Sequence, residues 1–144
     1  MLRLSVILFI GLKAVGASAQ SEVVWEFTFD QDQNAVVAEA TIEEGWHLYS
    51  QYVDEYAGPI PTSFEFEENP QVELIGTPVE PEAIVEFDQN FESEVSYFKD
   101  HVAFKQKLKP IGNTELSGTV TFMICNETMC LPPEDQVFVV SIKK

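Results

Sequence analysis

Short runs in which apolar and polar residues alternate dominate this sequence from about residue 23 onward. A period of two residues is typical of half-buried β-strands. Turn-forming residues separate the runs, and the helical spacing of i, i+3 and i+4 is not sustained anywhere. The runs lie at Val23–Phe29, Ala35–Ile42, Gly45–Tyr49, Thr62–Glu67, Val72–Ile75, Ala83–Phe87, Val95–Leu108, Leu116–Ile124 and Gln136–Ile142. This pattern predicts an all-β chain with about nine strands, folded as an immunoglobulin-like antiparallel β-sandwich.

The first nineteen residues have the pattern of a secretory signal peptide. The basic residue Arg3 precedes the apolar segment Leu4–Leu12, and Ala17–Ala19 provides the small-x-small cleavage pattern. We therefore predict a signal peptide at 1–19 and a single domain at 20–144. Export would place this domain in the periplasm, where disulfides form and persist.

The chain is strongly acidic, with 24 Asp and Glu residues, eight Lys and Arg residues and a net charge of −16. Loss of residues 1–19 would leave six basic residues against the same 24 acidic ones, a net charge of −18. Such a charge disfavours nucleic acids and anionic lipid surfaces as partners. It fits either a well-solvated surface or the steering of the domain toward a basic partner surface.

The only two cysteines, Cys125 and Cys130, are separated by four residues between the last two predicted strands. Four residues form a common hairpin loop, and its ends lie at roughly the 5.5 Å Cα separation that suits a disulfide. We therefore expect the cysteines at the two feet of a tight hairpin. Closing so short a loop stabilises by only about 2 kcal/mol, and the flanking strands would already be paired. The position favours redox chemistry, with a structural clip as the alternative.

Three motifs make the sequence similar to a known family. They are Gly45–Tyr49, the Asn90–Glu92 segment before Val95–Phe98, and the cysteine hairpin that ends in Leu131–Pro133. With these motifs the chain resembles the N-terminal periplasmic domain of the thiol-disulfide interchange protein DsbD. The resemblance extends over essentially all of residues 20–144, and it also implies an immunoglobulin-like fold.

The resemblance implies roles for individual residues. Cys130 would form mixed disulfides with thioredoxin-like periplasmic proteins, and Cys125 would resolve them. Phe91 matches the phenylalanine of a cap loop that shields the disulfide, while His47 and Tyr49 lie in the segment beneath the hairpin. The implied activity is that of a protein-disulfide reductase of the electron-carrier type, without a cofactor. As a freestanding domain, it would receive electrons from a separate membrane electron-transfer protein.

Some residues depart from the family pattern or allow a second interpretation. Better-known members have five residues between the cysteines where this chain has four, and some carry acids where Gln89 and Asn90 stand here. Pro132 would stiffen the chain after Cys130 and fix its orientation, although it would also serve as simple turn punctuation.

Two other functions fit the same residues. The domain could be a non-catalytic binding module whose hairpin disulfide makes a recognition loop rigid. Alternatively, Cys125, Cys130, Met123 and Met129 are soft ligands close together, a set that suits Cu(I), although no histidine cluster accompanies them. We assign no metal site on this basis.

Overall fold

The structure is a computed structural model that describes residues 22–144. The predicted signal peptide at 1–19 lies outside the described residues. The strands are β1 (Val23–Asp30), β2 (Ala35–Ile42), β3 (His47–Tyr49), β4 (Ser63–Phe66), β5 (Val72–Val79), β6 (Ile84–Asp88), β7 (Ser93–Phe98), β8 (His101–Pro110), β9 (Thr114–Phe122), β10 (Ile124–Cys125) and β11 (Glu134–Ile142). A 3₁₀ turn, Glu55–Ala57, is the only helical element among them. No helix in this part of the chain is long and apolar enough to cross a membrane.

The strands form three antiparallel sheets. Sheet A has the order β1-β2-β8-β5, sheet B the order β10-β3-β7-β6, and sheet C the order β11-β9-β4. Trp25 of sheet A lies 5.5 Å from Phe122 of sheet C between ring centroids, and Phe104 of sheet A lies 5.9 Å from Phe98 of sheet B. Sheets B and C therefore cover the same face of sheet A, and burying each of these rings contributes about 1.5–3 kcal/mol. The predicted all-β, immunoglobulin-like sandwich is confirmed.

The prediction of one long strand over Val95–Leu108 is wrong. This segment forms β7 in sheet B and β8 in sheet A, joined by a turn in which Asp100 has a φ of +62°. The buried apolar residues change phase across the turn, from Val95 and Tyr97 to Val102 and Phe104. This change of phase is the local signal that one strand ends and another begins.

The cysteines stand at the two feet of a tight four-residue turn, as predicted, but the prediction that this turn is the loop of the hairpin between the last two long strands is wrong. That hairpin joins β9 to β11 and ends at the pair Phe122–Glu134. At Met123 the chain leaves sheet C, and Ile124–Cys125 pair with Leu48 and His47 of sheet B. The crossing occurs because Ile124 continues the buried face of β9 while its backbone pairs with a different strand. The disulfide consequently lies at the edge of sheet B.

Candidate active site

A tight turn after β10 brings Cys125 and Cys130 together. They form an isolated antiparallel bridge and a disulfide, with their Cα atoms 4.0 Å apart. The turn is fixed by Asn126, whose Oδ1 accepts hydrogen bonds from the backbone N–H groups of Thr128 and Met129, each at 2.9 Å. Asparagine side chains favour turns for this reason. The four-residue loop is therefore preorganised by its own sequence, whichever strands flank it.

The two sulfur-bearing residues differ in their access to solvent. Cys125 is fully buried, at 0% exposure, whereas Cys130 is only partly buried. Cys125 belongs to a buried cluster with Tyr49 and Tyr97, and Cys130 packs against the outside of that cluster. Cys130 is therefore the more accessible of the two cysteines.

Beneath the turn, the side chains of Tyr49, His47 and Asp88 form a polar group. The hydroxyl of Tyr49 donates to Oδ2 of Asp88 at 2.9 Å, and Nε2 of His47 lies 3.0 Å from the same hydroxyl. Nε2 of His47 also lies 3.4 Å from Oδ2 of Asp88. Because the tyrosine hydroxyl gives its hydrogen to the carboxylate, His47 is the donor to Tyr49. The three side chains form one short donor chain that ends on Asp88.

Burial sets the protonation of this group. Burial lowers the pKa of His47 below its usual value of about 6.5, although the neighbouring Asp88 carboxylate opposes this effect. Burial, together with the hydrogen bond to Asp88, raises the pKa of Tyr49 far above its ordinary range. At neutral pH the histidine is therefore neutral and the tyrosine is protonated. The contact between His47 and Asp88 is accordingly a hydrogen-bonding contact rather than an ion pair.

The segment after β6 lies against the buried cluster. Phe91 packs against the cluster that contains Cys125, as Cys130 also does, and its ring meets that of Tyr49 edge-on, with centroids 6.0 Å apart. The backbone N–H of Asn90 donates to Oδ1 of Asp88 at 2.7 Å, which ties the base of the loop to the buried carboxylate. Glu92 then takes a left-handed φ of +51° and turns the chain into β7. We call residues 89–92 the cap loop.

The remaining predicted site residues have simpler surroundings. Pro132 is exposed and follows Leu131, whose N–H donates to the carbonyl of Ile124 at 3.0 Å. Met123 packs against the cluster, and its sulfur accepts a hydrogen bond from the N–H of Ile60 at 3.4 Å, while Met129 is exposed at the turn. Within residues 22–144, no group of three or more His, Cys, Asp or Glu side chains is placed to hold a metal ion.

Sequence reasoning missed Asp88, which connects the parts of the site. This carboxylate is buried, accepts from both Tyr49 and the cap loop, and lies 39 residues from Tyr49 in sequence. The only local signal was its position at the end of a predicted strand, directly before the cap segment. An acid in such a place is usually a solvated turn residue, so its burial could not be predicted.

A cavity of about 680 Å³ opens between the cap loop and the turn. Its lining includes Lys99 and five acidic residues, Glu44, Glu86, Asp88, Asp100 and Glu127. The amine of Lys99 lies 5.3 Å from the ring centroid of Tyr97. The surface beside the disulfide is thus predominantly negative and shares the sign of the whole chain.

Comparison with known proteins identifies the family. The sequence model of the family described as thiol:disulfide interchange protein DsbD, N-terminal, matches residues 17–142. The fold is similar to the reduced N-terminal domain of DsbD from Neisseria meningitidis, with a TM-score of 0.64 and 18% identity over 85% of this chain and 87% of that one. It is also similar to the complex of the DsbD and PilB N-terminal domains from Neisseria meningitidis, with a TM-score of 0.60 and 14% identity over 81% and 80%. No curated protein sequence matches the chain.

The two structural similarities have low sequence identity and show the fold alone. The family match is broader, because it extends over most of the sequence and includes the cysteine turn, the cap loop and the segment beneath them. The resemblance predicted from the three sequence motifs is confirmed. The chain belongs to the family of N-terminal domains of the thiol:disulfide interchange protein DsbD.

Proposed function

We propose that this domain is an exported carrier of reducing equivalents that works by thiol–disulfide exchange at Cys125 and Cys130. The observation that carries the proposal is the asymmetry of the pair, because Cys125 is fully buried whereas Cys130 is partly exposed. A disulfide that served only as a clip would not need one cysteine to be more exposed than the other. An exchange site needs one accessible sulfur and one protected sulfur within bonding distance.

In the proposed reaction, the thiolate of reduced Cys130 attacks one sulfur of a partner disulfide. A mixed disulfide forms, and the partner's other sulfur leaves as a thiolate. The thiolate of Cys125 then attacks the sulfur of Cys130 and releases the partner as a dithiol. The domain ends with the disulfide that the structure shows, and two electrons and two protons have passed to the partner.

We assign thioredoxin-like periplasmic proteins as the partners and a membrane electron-transfer protein as the reductant that restores the two thiols. Family membership supports this assignment, as does the complex that a relative forms with the N-terminal domain of PilB. The predominantly acidic surface beside the turn favours partners whose own site is rimmed by basic residues. In this role Phe91 is the cap, His47 and Tyr49 support it from below, and Pro132 orients Cys130.

Two single-cysteine variants test the assigned roles. Each reduced variant is incubated with an oxidised thioredoxin-like protein from the same periplasm, and non-reducing mass spectrometry measures the mixed disulfide. Cys125→Ala should give the mixed disulfide on acid quenching, because Cys130 can attack and the domain has no second thiol to resolve it, so that only return of the partner's own thiolate removes it. Cys130→Ala should accumulate at least about tenfold less, since the remaining thiol is buried. Equal trapping would reverse or remove the assigned roles, and no trapping by either variant would overturn the proposed function.

A further inference from the structure

The ring of Phe91 lies against a glycine at the end of the 3₁₀ turn. Gly58 has a φ of +111°, and a Cβ atom added to it would lie 2.4 Å from Cδ1 of Phe91. Two further ring atoms would lie at 3.1 Å and 3.2 Å. Carbon atoms that are not bonded to each other do not approach to 2.4 Å, so the ring occupies the space that any larger residue would need. The closed position of Phe91 therefore requires glycine at position 58.

A second contact fastens the cap loop to the cysteine turn. Nδ2 of Asn90 donates to the backbone carbonyl of Asn126 at 3.0 Å, one residue beyond Cys125. This contact needs an amide, because a carboxylate at the same position would have no hydrogen to donate. Besides its base, the cap loop thus has two contacts: the Phe91 ring packs against Gly58, and Asn90 donates to the carbonyl of Asn126.

We propose that Gly58 and Asn90 are positioning residues that keep the cap loop closed over the disulfide and so limit the access of small thiols to it. The inference rests on the proposed function for the role of Phe91 as a cap. Phe91 and Cys130 pack against the same buried cluster, and we expect displacement of the ring to open a path to the disulfide. If attack requires an open loop, its rate rises in proportion to the open population.

The test measures how fast dithiothreitol reduces the disulfide, with the new thiols labelled and counted by mass. Gly58→Ala and Asn90→Ala should each raise the rate about three- to tenfold, the factor that follows from losing one contact of ordinary strength. Gly45→Ala is the matched control for the glycine, because Gly45 has a φ of +89° and nothing lies within 4 Å of its added Cβ. The exposed neighbour Gln89, changed to Ala, is the control for Asn90.

A double-variant cycle separates displacement of the ring from general loss of stability. In the Phe91→Ala background there is no ring for a new methyl group to displace, so Gly58→Ala should no longer raise the rate. The proposal is overturned if Gly58→Ala is no faster than Gly45→Ala, or if its acceleration persists without Phe91. If Gly58→Ala does not fold, Asn90→Ala is compared with Gln89→Ala instead. A reduction rate of Asn90→Ala no faster than that of Gln89→Ala then overturns the proposal.

The reduction potential, measured on the same samples, distinguishes this proposal from the proposed function. A potential typical of structural disulfides, with faster reduction in the two variants, would overturn the exchange function and support the closed cap loop. A potential in the range of exchange proteins, with unchanged reduction rates in the two variants, would support the exchange function and overturn the closed cap loop.

Discussion

Replacing Tyr49 by Phe removes one hydroxyl from a buried site and leaves the ring in place. The hydroxyl donates to the Asp88 carboxylate at 2.9 Å and contacts His47 at 3.0 Å. A hydrogen bond to a charged group contributes about 1.5–3 kcal/mol to stability. Tyr49 is fully buried, and we expect Tyr49→Phe to lower the free energy of unfolding by this amount.

Tyr97→Phe is the matched control on the neighbouring strand. The ring of Tyr97 is also buried, but its hydroxyl donates to Glu86, which is exposed and remains solvated. This variant should therefore lose about 0.5–1 kcal/mol. Urea unfolding of the oxidised domains at pH 7 gives both values, provided that the slope against denaturant is unchanged. Equal losses for the two variants would refute the conclusion that Asp88 depends on Tyr49.

Three further predictions concern stability. As pH falls from about 7 to about 5.5, wild type should lose stability, because the folded state keeps His47 neutral while the unfolded state binds a proton. His47→Gln should flatten this dependence in urea unfolding, and an unchanged slope in that variant would contradict this origin. Glu80→Gln should lower the free energy of unfolding by about 1–2 kcal/mol in the same assay, because both carboxylate oxygens accept hydrogen bonds from the turn after β3, one of them from the hydroxyl of Ser50. A loss no greater than that of Glu82→Gln would contradict this role. Reduction of the disulfide should lower the urea-unfolding free energy by about 2 kcal/mol, and a loss above about 4 kcal/mol would indicate a structural staple instead.

Local patterns predicted most of the strands. The bounds of β2 agree with the predicted run Ala35–Ile42. The family resemblance was equally accessible, since its motifs are short and contiguous. The resemblance implied a cap role for Phe91, whose ring packs against the cluster that contains Cys125.

Pairing between distant segments could not be read from the sequence. The change of sheet at Met123 depends on the edge that β3 offers to Ile124–Cys125, and no residue near the crossing signals it. The burial of Asp88 depends on Tyr49 and His47 arriving from another strand. The close contact between Gly58 and the ring of Phe91 likewise forms only once the two segments have packed together. Each of these features is a property of the assembled sandwich.

The reduction potential of the Cys125–Cys130 pair tests the proposed exchange chemistry most directly. The oxidised domain is equilibrated with dithiol buffers of known potential, and the reduced fraction is read from the mass shift on thiol labelling. The partly exposed Cys130 beside a displaceable cap loop predicts a potential above about −270 mV, in the range of known exchange proteins. A potential below about −300 mV is typical of structural disulfides and would contradict the exchange function.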